Sequence, residues 1–178
     1  EPGSIFKAIT MAIGIDRGKV TPQTTYNDAG SVMVGKNKIN NSDFKGRGVV
    51  NMVRVLQDSL NTGMVYVLNR LGIDTFRDSL KKFGFGRPTG IELDSESPGN
   101  LNNLYRKFGQ EINAATASFG QGINVTTLQM AMAFGALANE GKLMKPYLVE
   151  EIVAPDGGRI KAEPQVVEHL IATVYGER

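Results

Sequence analysis

The chain contains no cysteine and no tryptophan, and it has a single histidine, His169, among 178 residues. The absence of cysteine excludes disulfides and thiolate metal sites within this chain. A Ser-His-Asp triad would have to use His169, but the residues around it, Val167-Glu168-His169-Leu170, form no catalytic motif. We therefore expect His169 to be a surface residue.

The chain also lacks long apolar runs and strong charge of one sign. No stretch reaches the roughly 18–20 apolar residues that a membrane span needs, and no signal peptide is visible. The net charge is only +2, without a basic tract, so we expect no nucleic-acid partner. The length suits one domain with its own core. Because the sequence starts at Glu1 rather than methionine, we expect it to be a piece of a longer protein.

A serine and a lysine lie one helical turn apart at the start of the chain, in a segment that is otherwise mostly apolar. The apolar residues of this segment point in nearly every direction around a helix, which predicts a buried helix over about 4–14 that ends at Gly14. Positions i and i+3 are neighbours, so Lys7 would lie beneath Ser4. Burial favours a neutral amine, and a neutral lysine beside a serine is a general base beside a nucleophile. The alternative is that Ser4 caps the helix.

The same Ser-x-x-Lys spacing occurs twice more, which shows that spacing alone is weak support. Ser42 and Lys45 lie in a polar run that we expect to be a loop. Ser79 and Lys82 lie in a charged segment that we expect to be a solvated helix face. Only Ser4 has an apolar helix behind it and a Pro-Gly turn before it, so Ser4 and Lys7 form the preferred pair.

Helices, with a few short strands and loops, account for most of the remaining chain. The patterns predict helices at 48–60, 64–71, 75–83, 111–118 and 128–139, a strand at 91–93, and a hairpin joining 149–153 to 159–161. Residues 15–46 are expected to be irregular, with β-like pieces such as 31–34. Within 48–60, the predicted buried face consists of Val49, Met52, Val53 and Leu56. The mixture indicates an α+β fold in which helices dominate.

A second polar group lies at Ser59-Leu60-Asn61, where one predicted helix gives way to the next. A serine and an asparagine at such a junction can satisfy backbone groups at the helix ends, which is a common structural role. The functional alternative is that Ser59 relays a proton to or from a lysine and that the Asn61 amide holds a substrate carbonyl. The pairing with Ser4 and Lys7, in this order along the chain, favours the functional interpretation.

Taken together, these segments resemble the class B penicillin-binding transpeptidases, which are acyl-serine enzymes with a Ser-x-x-Lys motif. Residues 1–7 are similar to their active-site segment, and 59–61 are similar to their second motif. The longer stretches that resemble the class B signature are 83–93 with 96–99, and 117–129 leading into 136–141. The resemblance covers residues 1 to about 161. It implies a partial transpeptidase domain over 1–178: the helical portion of a β-lactamase/transpeptidase-like fold with an incomplete antiparallel sheet.

The resemblance implies roles for four residues. Ser4 would attack the penultimate D-alanine carbonyl of a peptidoglycan stem peptide ending in D-Ala-D-Ala, and Lys7 would accept its proton. Ser59 would pass a proton to the leaving amine, Asn61 would hold the substrate amide, and the Ser4 backbone N–H would be one oxyanion donor. No metal or organic cofactor would be needed, and β-lactams would acylate the same serine.

The resemblance also implies a cellular setting for the parent protein. Its active site would lie on the extracytoplasmic face of the bacterial cytoplasmic membrane, held there by an anchor that is absent from this chain. Its partners would include cell-wall synthesis proteins.

The sequence departs from the family pattern in one respect, because it has no Lys-Thr-Gly or Lys-Ser-Gly. Thr-Gly occurs at 62–63 and 89–90, in neither case after a lysine. In the family this third motif lies on a strand that closes the site and supplies the second oxyanion donor, whose loss costs roughly 10²–10³ in rate. We therefore expect an active parent protein, but a nearly inactive isolated chain with an unpaired sheet edge.

Two alternatives remain open at the level of the sequence. A β-lactamase or a penicillin sensor would use similar motifs, although residues 85–90 and 120–126 favour a transpeptidase. A non-catalytic cell-wall scaffold would explain the absent third motif. The presence of Ser4, Lys7, Ser59 and Asn61 argues against such a degenerate homologue.

Overall fold

Helices and short strands alternate along the chain in a computed structural model that describes residues 1–170. A 3₁₀ turn over Gly3–Ile5 leads into α1, and a second one spans Asn102–Tyr105. The helices are α1 (Phe6–Asp16), α2 (Met52–Gln57), α3 (Asn61–Leu71), α4 (Ile73–Lys82), α5 (Gln110–Ala117) and α6 (Thr127–Ala138). The strands are β1 (Thr25–Asp28), β2 (Ser31–Val34), β3 (Asn37–Asn40), β4 (Gly48–Asn51), β5 (Lys142–Met144), β6 (Glu151–Val153), β7 (Arg159–Lys161) and β8 (Val166–His169).

All strand pairs in residues 1–170 are antiparallel and two-stranded. The pairs are β1 with β4, β2 with β3, β5 with β8, and β6 with β7. In the first of them Tyr26 lies opposite Val50, and in the last Ile152 lies opposite Ile160. The predicted α+β class with an incomplete antiparallel sheet is therefore confirmed. The predicted domain range continues to 178, and residues 171–178 lie outside the described part.

Helix α1 lies in the core, where it contacts α3, α4 and α6. Its apolar side chains are buried as predicted, with Phe6 and Ile9 completely inaccessible. The predicted end at Gly14 is wrong, because the helix continues to Asp16 and Gly14 lies inside it. A β-carbon at Gly14 would lie 2.7 Å from Val67 Cγ1, so the glycine permits close packing of α1 on α3. No helix in residues 1–170 has the length and apolarity to cross a membrane.

The helix predicted over 48–60 forms only over Met52–Gln57. Residues 48–51 form β4, since Val49 and Val50 pair with β1 and the β-branched side chains suit a strand. Helix α2 begins only after Asn51, whose Oδ1 accepts a hydrogen bond from Arg54 N at 3.0 Å and caps it. Of the predicted buried face only Met52 is buried. Val49, Val53 and Leu56 are exposed, and Val55 is buried instead.

Other predicted elements have mixed outcomes. The hairpin of β6 and β7 and the strand at 31–34 are confirmed, although residues 15–46 contain three strands rather than an irregular loop. The helix predicted at 128–139 forms as α6, and Thr126 caps it in a reciprocal box with Gln129. The predicted strand at 91–93 does not form, and the Glu92 side chain there accepts hydrogen bonds from the Leu148 and Val149 amides. The helix predicted at 64–71 begins earlier, at Asn61.

Helices α2 and α3 approach closely because α3 carries a glycine at the contact. A β-carbon at Gly63 would lie 2.5 Å from Val55 Cγ1 and 3.1 Å from Val55 Cβ. Val55 is completely buried, so rotation of its side chain cannot relieve such a clash. The short connection between the two helices, which carries Ser59, is thus held by core packing.

We expect Gly63→Ala to destabilise the protein, even though alanine is the better helix former. Overpacking against buried Val55 costs about 1–3 kcal/mol, which exceeds the gain of about 1 kcal/mol in helix propensity. The matched control is Gly135→Ala in α6, where a β-carbon would meet nothing within 4 Å. Urea denaturation should show a lower free energy of unfolding for Gly63→Ala and a higher one for Gly135→Ala. Equal shifts in both variants would contradict the packing role of Gly63.

Candidate active site

The predicted nucleophile, Ser4, lies in the middle of the 3₁₀ turn before α1. The turn begins with Gly3 in a left-handed conformation, at φ +65°, and leaves Ser4 exposed. Ile5, which has no capping side chain, occupies the N-cap position of α1. Within residues 1–170 the Ser4 hydroxyl makes no hydrogen bond. The alternative that Ser4 is an N-cap is therefore wrong, and its hydroxyl is free to meet a ligand.

The predicted base, Lys7, points into the core from the first turn of α1. Its side chain is only 3% exposed. Its Nζ donates to the backbone oxygen of Ser59 at 2.6 Å and to Ser59 Oγ at 2.9 Å. The structure thus joins the first and second predicted motifs directly, across 52 residues of sequence.

Burial lowers the pKa of Lys7 to about 8 from its ordinary 10.5, because the charged form loses hydration. The sequence predicted a neutral lysine beneath Ser4. The neutral state needs correction, because with a pKa of about 8 the ammonium form still predominates at pH 7. The amine donates its hydrogen bonds to Ser59.

Ser59 has a backbone conformation that few non-glycine residues adopt. Its φ is +53°, in the left-handed region. The residue forms the tight connection between α2 and α3, closed by a hydrogen bond from Leu60 N to Val55 O at 2.9 Å. This conformation presents both the carbonyl and the hydroxyl of Ser59 to Lys7. An uncommon conformation of this kind persists only where the surroundings hold it, and it often marks a functional position.

Asn61 is the first residue of α3, and its side chain is half-buried. Its Nδ2 donates to the Asn40 carbonyl at 2.9 Å, at the end of β3. The side chain is therefore oriented by a strand distant in sequence. The structure places Asn61 two residues after Ser59 at the same helix start, so three of the four predicted residues, Lys7, Ser59 and Asn61, meet at one junction.

Sequence reasoning missed the buried polar cluster that supports this junction. Asp28 and Asn41 are almost fully buried, and Thr62 lies beside them. Asp28 Oδ1 accepts from Thr62 Oγ1 at 2.8 Å and from Asn41 Nδ2 at 3.0 Å, while Asn41 Oδ1 accepts from Thr62 N at 3.2 Å. The cluster thereby satisfies a backbone donor in the first turn of α3. The available signal was the polar run at 40–43, which was interpreted as a loop.

The sequence did not indicate that the glycine-rich segment at 118–122 lies against the turn that carries Ser4. Gly3 N donates to the Gly120 oxygen at 3.0 Å, and Gly122 N donates to Glu1 Oε1 at 2.8 Å. From α1, Thr10 Oγ1 donates to the buried Ser118 oxygen at 2.8 Å. The repeated glycines were the only signal in the sequence that another backbone approaches here.

The two other Ser-x-x-Lys matches lie elsewhere and are not brought together with the site. Ser42 is exposed in the connection after β3, as predicted. The expected solvated face at Ser79 is wrong, because Ser79 is 4% exposed and donates to the Thr75 oxygen inside α4. His169 is exposed in β8, as the sequence indicated.

The site therefore offers an exposed hydroxyl, an amine of lowered pKa and a second hydroxyl 2.9 Å from that amine. These three groups can activate a nucleophile and transfer a proton among themselves. No group of three or more metal-ligating side chains that could hold an ion occurs in residues 1–170.

We expect the buried lysine to make stability depend on pH in the alkaline range. Because the pKa of Lys7 is about 8 when folded and 10.5 in its ordinary state, the unfolded chain binds more protons between these values. Stability conferred by Lys7 therefore rises as pH increases from about 8 to about 10.5. Urea denaturation at several pH values should show the free energy of unfolding of the wild type rising relative to that of Lys7→Met over this window.

Lys45→Met is the matched control, since Lys45 is exposed and lies at the equivalent position of another Ser-x-x-Lys match. Its stability should run parallel to that of the wild type across the same window. A parallel course for Lys7→Met as well would show that the amine is not desolvated.

Comparisons with known proteins agree with this geometry. Residues 1–173 match the family model described as the penicillin binding protein transpeptidase domain. The chain is 36% identical over 156 residues to stage V sporulation protein D of Bacillus subtilis, covering 87% of the chain and 24% of that protein. It is 33% identical over 160 residues to a peptidoglycan D,D-transpeptidase FtsI homolog of Chlorokybus atmophyticus, covering 84% of the chain and 24% of the relative.

Structural similarity leads to the same family. The fold resembles the crystal structure of penicillin-binding protein 3 of Mycobacterium tuberculosis in complex with aztreonam, with a TM-score of 0.86 and 29% identity. That match covers 97% of this chain and 38% of the crystallised one. The chain spans about a quarter of the length of the two curated relatives, at 24% of each. The resemblance seen in the sequence is confirmed: the chain belongs to the penicillin-binding protein transpeptidase domain family, of the class B type.

Proposed function

We propose that the protein containing this chain is a peptidoglycan D,D-transpeptidase that cross-links stem peptides through an acyl intermediate on Ser4. The observation that carries the proposal is the contact of Lys7 Nζ with Ser59 Oγ at 2.9 Å. Lys7 lies in the first turn of α1, directly after the exposed Ser4. A lysine of lowered pKa that contacts one serine hydroxyl and lies one helical turn after another serine can take a proton from the nucleophile and return it through its partner. The family and its named relatives support this chemistry.

In the acylation step, the Ser4 hydroxyl oxygen attacks the carbonyl carbon of the penultimate D-alanine. The Ser4 proton passes to the neutral fraction of Lys7, which is appreciable because burial lowers the pKa of Lys7 to about 8. As the peptide bond breaks, Ser59 delivers its proton to the leaving D-alanine amine and regains one from the Lys7 ammonium across their 2.9 Å contact, so that Lys7 is neutral again. The backbone N–H of Ser4 donates to the developing oxyanion, and Asn61 holds the substrate amide.

In the second step, the amine of a neighbouring stem peptide attacks the ester carbon on Ser4. The amine gives a proton to neutral Lys7 as the new amide bond forms, the ester bond breaks, and the Ser4 oxygen receives that proton back from Lys7. No redox partner and no group from outside the two stem peptides is needed. The product is a peptide cross-link between two peptidoglycan strands.

The substrates and setting follow from the same proposal. Peptides ending in D-Ala-D-Ala would be the acyl donors, and β-lactams would acylate Ser4 as substrate mimics. The related penicillin-binding protein 3 was crystallised with aztreonam, a ligand of this kind. The active site would lie on the extracytoplasmic side of the bacterial membrane, with the whole protein anchored there and assembled with cell-wall synthesis proteins.

We expect a fluorescent penicillin to label the whole protein covalently at Ser4. Mass spectrometry of the labelled protein should locate the adduct on the peptide that contains Ser4. Ser4→Ala should abolish labelling, because no other group in the site supplies the acyl acceptor.

Ser42→Ala is the matched control, since Ser42 is the exposed serine of a second Ser-x-x-Lys match and should label at the wild-type rate. Absence of labelling in the whole wild-type protein would favour a non-catalytic scaffold. Hydrolysis of the adduct within seconds would favour a β-lactamase-like enzyme, whereas a persistent adduct supports a transpeptidase.

We expect removal of the Ser59 hydroxyl to slow acylation by roughly 10²–10⁴-fold, the usual contribution of a positioned proton donor. Ser59→Ala and Ser59→Gly both keep the backbone oxygen that binds Lys7. Glycine also tolerates the φ of +53° without strain, so Ser59→Gly should be the more stable of the two. Acylation rates from stopped-flow fluorescence and melting temperatures separate the two effects.

An equal loss of rate in both variants, together with different stability, assigns the effect to the missing hydroxyl. A Ser59→Gly variant that acylates at the wild-type rate would exclude Ser59 from proton transfer.

A further inference from the structure

A segment remote from the four predicted residues lies against the peptide bond that precedes Ser4. Gly120 is buried, and its backbone oxygen accepts a hydrogen bond from Gly3 N at 3.0 Å. A β-carbon built on Gly120 would lie 2.1 Å from the Gly3 oxygen and 2.8 Å from the Gly3 carbonyl carbon. Such distances are far below van der Waals contact, and the neighbouring atoms belong to backbone. The α-carbon of Gly120 therefore lies directly against the Gly3 carbonyl.

That carbonyl belongs to the same peptide unit as the Ser4 N–H. A trans peptide is planar, so the carbonyl and the N–H point in opposite directions and rotate together. The Gly3 oxygen accepts a hydrogen bond from Phe6 N within the turn, and Gly120 lies against the same oxygen. Contacts with Gly120 and Phe6 thus set the direction in which the Ser4 N–H points.

We propose that Gly120 is a positioning residue that aims the Ser4 N–H at the oxyanion formed during acylation. The inference rests on the proposed acyl-serine function and adds to it a residue more than a hundred positions away in sequence. Its bare α-carbon allows the 118–122 segment to press on the Gly3–Ser4 peptide. Any side chain at this position would turn that peptide and misdirect the donor.

Of the two segments in this contact, the turn at Gly3 is the one that can move. Ala117 and Ser118 are completely buried, and Thr10 holds the Ser118 oxygen at 2.8 Å. A β-carbon on Gly3, in contrast, would meet nothing within 4 Å, so the turn has space to move. A methyl group on Gly120 would therefore displace the Gly3 peptide rather than the segment embedded in the core.

The test compares acylation of the whole protein by a fluorescent penicillin in the wild type and in Gly120→Ala. Rates measured over a range of penicillin concentrations separate the acylation rate constant from the non-covalent affinity. We expect the rate constant to fall by roughly 10²–10³-fold, the effect of losing one oxyanion donor, while the affinity changes by much less. A purely structural role would lower the amount of folded protein but not the rate constant of the folded fraction.

The matched control is Gly122→Ala in the same segment. Gly122 has a similar backbone conformation, φ +74° against +82° for Gly120, so alanine is strained at both positions. A β-carbon on Gly122 would have as its nearest atom the Thr116 side-chain oxygen, at 3.3 Å, with no backbone of the nucleophile turn in reach. Gly122→Ala should therefore acylate close to the wild-type rate. A wild-type rate for Gly120→Ala, or an equal loss in Gly122→Ala, would overturn the proposal.

A second pair of variants covers the case in which Gly120→Ala does not fold. At Gly3, with φ +65°, asparagine tolerates the left-handed region and valine does not. Gly3→Val should turn the same peptide and acylate at least tenfold more slowly than Gly3→Asn. Equal rates in the two variants would show that the orientation of this peptide does not matter.

A readout independent of penicillin separates failure of this inference from failure of the proposed function. In protein labelled with ¹⁵N-serine, the Ser4 amide signal can be assigned by its loss in Ser4→Ala. It should shift in Gly120→Ala and stay in place in Gly122→Ala. If the wild type is not acylated, the proposed function fails, and the Ser4 signal alone decides the positioning role. An unshifted signal in Gly120→Ala would overturn that role.

Discussion

The hydrogen bonds of Lys7 with Ser59 are the constraint on which the rest of the site depends. They bring a buried amine from α1 to both the carbonyl and the hydroxyl of a residue 52 positions away. A cation in the core is unfavourable, and the same loss of hydration lowers the pKa of Lys7 to about 8. The cost to stability is thus the source of the reactivity: an exposed lysine, with its ordinary pKa of 10.5, would have a far smaller neutral fraction at neutral pH to serve as a base.

Ser59 can meet Lys7 only because its own conformation is fixed from several sides. Its φ of +53° is uncommon for serine, and packing of Val55 against Gly63 holds the two helices that flank it. Behind α3, the buried carboxylate of Asp28 accepts from Thr62 and Asn41 and fixes the first turn of that helix. The lysine, the strained serine and the polar cluster support one another, so the site is organised before any substrate binds.

Several parts of this arrangement can be predicted from local sequence. The apolar segment after Ser4 indicated the buried helix, and the patterns at 128–139 and 149–161 indicated α6 and the β6–β7 hairpin, because each depends on neighbours in the chain. Residues 48–51 were misassigned since their spacing also fits a helix, and only pairing with β1 makes them a strand. Burial of Asp28 was equally unpredictable, because its hydrogen-bond partners come from distant segments.

The sequence by itself determined which residue types are present and which family they resemble: a serine and a lysine at helical spacing, a second serine with an asparagine, and glycine-rich signatures. Only the tertiary structure decided that Lys7 binds Ser59 rather than Ser4, that Ser59 is left-handed, and that Gly120 lies against the Gly3 carbonyl. The physical reason is that spacing along a helix fixes neighbours within a turn, whereas hydrogen bonds between segments and close backbone approach arise from packing.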